Sequence, residues 1–137
     1  MTVTPTEESL RTALVVADAA EEKLGTDVMV LHVGPVFGVS EYVVLATAAN
    51  ERQVKAIVDT IEENVAIELD ERPRSVEGAD ARRWVLLDYG DVVVHVQHSE
   101  ERELYALERL WRDCPVIDLE LPDDDDFGDD QDEDDLP

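Results

Sequence analysis

Apolar positions along this chain recur at two spacings, and the places where one gives way to the other mark its elements. Leu10, Ala13, Leu14, Ala17 and Leu24 keep a helical repeat, which predicts an amphipathic first helix. Thr4-Pro5-Thr6-Glu7 has the form of a capping box with proline at the first helical position, and Lys23 and Gly25 close the segment. Val28 to Val33 is apolar apart from His32 and is bounded by Gly34-Pro35, the pattern of a buried strand in which the lone histidine is structural. Phe37 to Ser40 connects to a second strand, Glu41 to Thr47. Asn50 then caps a helix, with Gln53 three residues on. Val54, Ile57, Val58, Ile61 and Val65 form its buried stripe, running to about Ile67, while Glu62, Glu63 and Glu68 stay in water.

Beyond this helix, Glu71 to Gly78 is short and charged and holds Pro73, so as a strand it belongs at a sheet edge. The richest stretch follows, from Trp84 to Trp111. Trp84–Leu87 and Val92–Val96 are strands joined by the turn formers Asp88-Tyr89-Gly90-Asp91, which predicts an antiparallel hairpin. Trp84 to Leu87 does not alternate, so both faces of that strand are apolar. A last helix is predicted to open at Ser99 as N-cap, with Glu100 and Glu101 at the positive end of its dipole, and to run until Pro115 stops it, with Arg109 and Arg112 in its last turn. Leu104, Leu107 and Trp111, widened by Leu110, are predicted to pack on the hairpin. The order of elements gives a two-layer α/β single domain, a mixed five-stranded sheet with flanking helices.

Charge narrows the partners. The chain has 137 residues and a formal net charge of −24. Twelve acidic residues and no basic one lie between Asp118 and Pro137, leaving −12 for residues 1–117. A folded domain over 1–117 and a disordered acidic tail over 118–137 are therefore expected. So acidic a domain is repelled by phosphate backbones and drawn to basic protein surfaces, so little direct nucleic-acid binding is expected. The one basic cluster, Arg72, Arg74, Arg82 and Arg83, has acidic neighbours that favour internal ion pairs over contact with RNA. Cys114 has neither a disulfide partner nor the spaced ligands of a zinc site. With no apolar run of membrane-spanning length and no basic-then-apolar leader, a cytoplasmic protein without membrane contact is expected.

Trp-Val-Leu-Leu-Asp-Tyr-Gly-Asp-Val-Val-Val-His-Val from Trp84, followed by Arg102, Tyr105, Leu107-Glu108 and Leu110-Trp111, resembles the signature of the ribosomal silencing factors, also called Iojap-like proteins. Ser40-Glu41-Tyr42-Val43-Val44, Thr47, Gln53-Val54 and Glu77-Gly78 extend the likeness to about residues 10 to 114. The resemblance implies a nucleotidyltransferase-like architecture and a partner, the large ribosomal subunit, bound through its protein numbered fourteen. It also implies that the chain, as monomer or homodimer, blocks joining of the small subunit and represses translation when nutrients are scarce. By position in the motif, Trp84 is the expected aromatic anchor. Asp88, Tyr89 and Asp91 are expected to offer acceptors and a hydroxyl to basic side chains, with Glu77 and Tyr105 as further contacts. The two aspartates equally suit a purely structural role in their turn, and Tyr105 equally suits packing. Ser40-Glu41 stands where the family usually has Thr-Asp, and Thr47-Ala48 where it often has Thr-Gly.

The architecture raises one alternative, a nucleotide-binding enzyme of the nucleotidyltransferase type. Such chemistry needs a glycine-rich phosphate loop and carboxylates that fix metal ions. The chain has neither Gly-x-Gly-x-x-Gly nor Gly-x-x-x-x-Gly-Lys, and no Gly-Ser opening before an Asp-x-Asp strand. Asp91 and His95 share a strand face but lie roughly 13 Å apart along it, too far to hold one ion. No catalytic residue, cofactor or metal ligand is assigned, and the expected activity is binding.

Overall fold

A computed structural model describes residues 5–37 and 40–119. Thr4 of the capping box and the acidic segment from Glu120 onward lie outside them. In chain order the elements are α1 (Pro5–Glu22), β1 (Thr26–His32), α2 (Gly34–Phe37), β2 (Tyr42–Ala48), α3 (Glu51–Leu69), β3 (Ser75–Glu77), β4 (Trp84–Asp88), β5 (Val92–His98), α4 (Ser99–Tyr105) and β6 (Val116–Ile117). The strands form one mixed sheet in the order β3-β4-β5-β2-β1-β6. Its centre is the parallel pair β2 and β5, and every other pairing is antiparallel.

α3 forms where the spacing places it. The Gln53 backbone N–H donates to Asn50 Oδ1 at 2.8 Å, and Gln53 Oε1 accepts from the Ala49 N–H at 2.6 Å. The cap is thus reciprocal, displaced by one residue from the usual box. Val54, Ile57, Val58, Ile61 and Val65 are all buried. They pack with Val30, Val44, Val85, Leu87, Val94 and Val96, one face of the sheet, in the principal core. Each such side chain contributes roughly 1.5–3 kcal/mol on burial.

α1 lies against the same face and α3, but its buried side differs from the expected stripe. Ala13, Val16, Ala17, Ala19 and Ala20 are buried, while Leu14 is 40% exposed and Leu24 78% exposed. Small side chains let the helix approach α3 and the sheet closely, so the alanine side wins over the one bearing larger leucines. Leu24 adopts φ +65° beyond the helix end, which turns it away from the helical repeat.

Two further elements differ from expectation. The sheet has six strands rather than five, because Val116 and Ile117 pair with Leu31 and Val30 of β1; two residues after a proline carry no readable strand pattern. The last helix is only seven residues long. Its N-terminal cap is the His98 side chain, whose Nδ1 accepts from the Glu100 N–H at 3.1 Å, in place of Ser99. At Ala106 the chain enters the left-handed region, with φ 46° and ψ 51°, and passes into a 3₁₀ turn, Leu107–Arg109.

The stripe predicted for that helix is consequently divided. Leu104 and Leu110 are 75% and 62% exposed. Leu107 and Trp111 pack instead on Leu31, Val33, Val43, Leu45 and Cys114, the core of the second sheet face over β1 and β2. The cause is Arg102, itself buried. Its guanidinium donates to Thr47 Oγ1 at 2.7 Å and Glu108 Oε1 at 3.2 Å and meets Met29 Sδ at 3.3 Å. A charge drawn into the sheet surface must bring its acceptors with it, and the reversal at Ala106 is what delivers Glu108.

Glycine is required where the edge strand turns back into β4. Gly78 has φ +83°, and a Cβ there would lie 2.1 Å from the Trp84 carbonyl oxygen. Gly78→Ala is expected to lower unfolding free energy by at least about 2 kcal/mol, from left-handed strain together with backbone overlap. Urea unfolding of the two proteins measures it, and an unchanged midpoint would show that this connection yields freely.

Candidate partner-binding face

A strand pair in register shares its faces, so the side of the sheet turned away from α1 and α3 is given by the ladder. One row across it is Glu77, Leu86, His95, Leu45 and Met29; the next is Trp84, Gln97, Thr47 and Thr26; a third includes Ser75, Asp88, Val93, Val43 and Leu31. Over β1 and β2 this face is covered by Leu107, Trp111 and Cys114. Over β3 and β4 it is open, and over β5 only at Val93, since His95 and Gln97 on the same face are buried. Trp84, Leu86, Val93 and Asp88 are there only half-buried, and Glu77 is exposed.

An aromatic cluster forms the boundary between the covered and open halves. The Trp84 ring lies 4.8 Å from that of Tyr105 and 6.0 Å from His95, and His95 lies 6.0 Å from Trp111. Such tilted contacts fall within the range of centroid separations at which aromatic rings attract. Trp84 Nε1–H donates to His95 Nδ1 at 3.0 Å. An indole nitrogen only donates, so Nδ1 has to be the bare nitrogen of the neutral ring. His95 is 8% exposed, and burial pushes its pKa down to about 4. Beside it Gln97 is fully buried, and its amide nitrogen and oxygen are without partners among the described residues. Sequence reading singled out Trp84 and left His95 and Gln97 aside; the cue for His95 is its two-residue alternation with Val93 and Gln97 on an otherwise apolar strand.

The six expected contact residues do not all meet. Trp84, Asp88 and Glu77 share the open face, and Tyr105, 53% exposed, stands over it from the end of α4. Asp88 also holds the turn, since Oδ1 accepts from the Gly90 N–H at 2.7 Å. Tyr89 and Asp91 belong to the other side of the hairpin. The Tyr89 hydroxyl is buried and unpartnered among the described residues; burial raises its pKa, with Glu62 and Glu71 adding to the effect. Together with Glu8, Ser9, Thr12 and Asp91 it lines a cavity of about 70 Å³. The Asp91 carbonyl accepts from the N–H groups of Glu41 and Tyr42 at 2.8 and 3.0 Å, and its carboxylate from Ser9 at 3.4 Å. The Tyr89 hydroxyl therefore lies inside the fold and the exposed Asp91 at the rim of this cavity, both away from Trp84.

Among the remaining charges, Arg83 is the most heavily engaged. Arg83 reaches Glu100 at 2.6 Å, Glu101 at 2.9 Å and Glu51 at 3.5 Å, which holds the Glu101 carboxyl below its usual range. Arg72 pairs with Asp70 at 3.9 Å, while Arg74 and Arg82 have no ion pair among the described residues. His32 Nε2 meets Glu41 at 2.7 Å and stacks on Tyr42, a structural role. Among the described residues His98, Glu100 and Glu101 are the one group close enough to share a cation. Arg83 already pairs with both of those carboxylates, so the group is an ion-pair cluster that fastens α4 to the start of β4.

The profile described as "Ribosomal silencing factor during starvation" matches residues 6–136. The chain belongs to the ribosomal silencing factor family. It is 38% identical over 107 residues to the ribosomal silencing factor of Bacillus subtilis (strain 168), a span of 78% of this chain and 90% of that one. A crystal structure of a Chromobacterium violaceum protein shares the fold with a TM-score of 0.72 at 30% identity, covering 76% of this chain and 86% of the other. The mouse protein named "Mitochondrial assembly of ribosomal large subunit protein 1" is 32% identical over 90 residues, 62% of this chain and 38% of the mouse protein. Within this silencing-factor domain no described helix is long and apolar enough to cross a membrane.

The neutral His95 ring gives the fold a pH dependence of definite sign. Its folded-state pKa, about 4, lies below the ordinary value of 6.5, so the unfolded chain takes up the proton first. Stability is then complete above about pH 6.5 and is lost progressively as the pH falls toward 4. Between pH 7 and pH 5 the parent is expected to lose about 2 kcal/mol more than His95→Asn, followed by urea unfolding. Equal losses would show that this imidazole is not held neutral.

Proposed function

We propose that the open sheet face is where this silencing factor binds the large ribosomal subunit, through the subunit protein numbered fourteen, and that the bound domain stops the small subunit from joining. The observation that carries the reading is the half-covered face itself. Trp84, Leu86, Val93 and Tyr105 form an apolar centre flanked by the carboxylates of Glu77 and Asp88. An interface of ordinary size needs about 800 Å² on each side with an aromatic anchor at its centre. Trp84 suits that part, since its ring is already oriented by His95 and Tyr105 and loses little freedom on binding.

The family to which the chain belongs and the name of its mouse relative, which concerns assembly of a ribosomal large subunit, both point toward this particle. Charge selects protein over RNA within it. A domain with a formal charge of −12 over residues 1–117 is steered toward a basic protein and repelled by phosphate. Blocking in this way needs occupied volume and no bond-making, so we infer a cytoplasmic regulator without catalytic turnover. Asp88 and Glu77 would meet cationic side chains of the partner, with Asp91 and Tyr89 shaping the hairpin behind them.

Co-sedimentation with separated large subunits at physiological salt, and inhibition of their reassociation with small subunits, tests the reading. Trp84→Ala is expected to weaken binding by roughly 2–4 kcal/mol while the domain stays folded. The association rate is expected to fall as salt rises. Parental affinity in folded Trp84→Ala would remove the anchor from this face.

A further inference from the structure

Outside the contacts so far assigned, one group at the boundary of the open face that lacks a partner among the described residues is the far nitrogen of His95. The indole donor of Trp84 occupies Nδ1 at 3.0 Å, which leaves the ring's single proton on Nε2. Nε2 has no hydrogen-bond partner among the described residues. It is also not one of the fully buried unpartnered side-chain atoms, which are the Tyr89 hydroxyl and the two amide atoms of Gln97. It accordingly meets the surface within the small area that an 8% exposed residue retains. The ring sits between Leu86 and Leu45 across the strands and between the rings of Trp84 and Trp111.

We infer that His95 is a binding residue of this face, its Nε2–H donating a hydrogen bond to an oxygen acceptor, a backbone carbonyl or side-chain oxygen, of the basic protein that covers Trp84. This rests on the partner-face reading above and adds to it the one directional contact in its apolar centre. A fixed donor among apolar side chains is unremarkable while water reaches it. Once a partner excludes that water, the donor needs an acceptor opposite, and a surface lacking one is penalised. His95 thereby supplies register and discrimination where Trp84 supplies area. The same bond to Trp84 fixes the ring plane, so the direction of Nε2–H is set before the partner arrives. Glu77 and Asp88 on the same face favour an acceptor on a basic protein over one on a phosphate backbone.

Two substitutions separate the ring's two functions. His95→Asn keeps an acceptor at the position of Nδ1 and has no distal donor. His95→Gln places a donor at the distance of Nε2 and gives up the proximal acceptor. With salt-washed large subunits and full-length protein, His95→Asn is expected to bind about tenfold more weakly than the parent, with parental thermal midpoint and tryptophan emission. His95→Gln is expected to bind more tightly than His95→Asn, and subunit RNA stripped of protein is expected not to compete. Binding by folded His95→Asn within twofold of the parent would overturn the inference. If His95→Asn loses stability as well, His95→Gln decides, and no recovery in it overturns the inference too. Competition by the stripped RNA would overturn the protein acceptor. Failure of the parent itself to bind large subunits would instead overturn the reading beneath, and this inference with it.

Discussion

Everything in this domain follows from a sheet that has two apolar faces and long helices for only one of them. α1 and α3 close over the first, with Val54, Ile57, Ile61 and Val65 seated on the inward residues of β2, β4 and β5. The second face must be covered by whatever chain remains after β5, and that is a seven-residue helix, one 3₁₀ turn and a two-residue strand. This is enough for β1, β2 and the end of β5 that bears His95 and Gln97, and stops short of β3, β4 and Val93. The edge of the cover, where Tyr105 meets Trp84, is therefore set by how far the returning chain reaches.

Two arginines, one buried and one at the surface, decide where that cover lies. Arg102 ties the end of α4 to Thr47 in β2 and to Glu108 beyond the reversal. Arg83 ties its beginning to β4 through Glu100 and Glu101. Between these two anchors the segment has little freedom, so Tyr105 and Trp111 stand at fixed positions on either side of the Trp84–His95 pair. The aromatic groups that a partner would meet are thus arranged by ion pairs and hydrogen bonds lying beside them. Preorganisation of this kind lowers the ordering cost of binding without adding contacts.

Much of the fold was legible because local signals agreed with global packing. Asn50 with Gln53, the stripe from Val54 to Val65 and the turn around Gly90 each state one structure, and each forms. The edge position of β3 was equally legible from Pro73 and the charges around it. What could not be read depends on partners distant in sequence. Leu104, Leu107, Leu110 and Trp111 have faultless helical spacing, yet the reversal at Ala106 answers to Arg102 finding Thr47, 55 residues away. The alanine side of α1 likewise prevails only because α3 lies close beside it. At the candidate face, Trp84 was visible as an aromatic at a strand mouth and through the family motif. The separation of Tyr89 and Asp91 from it, and the donation from Trp84 to His95, arise from which side of a ladder each residue occupies. Spacing alone does not assign that until the register is known.

In the function proposed above, the uncovered part of the second sheet face is the surface that a large ribosomal subunit covers. Hydroxyl-radical footprinting of side chains, with and without large subunits, measures this directly. Trp84, Leu86 and Tyr105 are predicted to lose reactivity in the complex, while Leu14, Leu24 and Ile67, exposed away from that face, keep theirs. Protection of the helical-side residues with Trp84 and Tyr105 left reactive would contradict it.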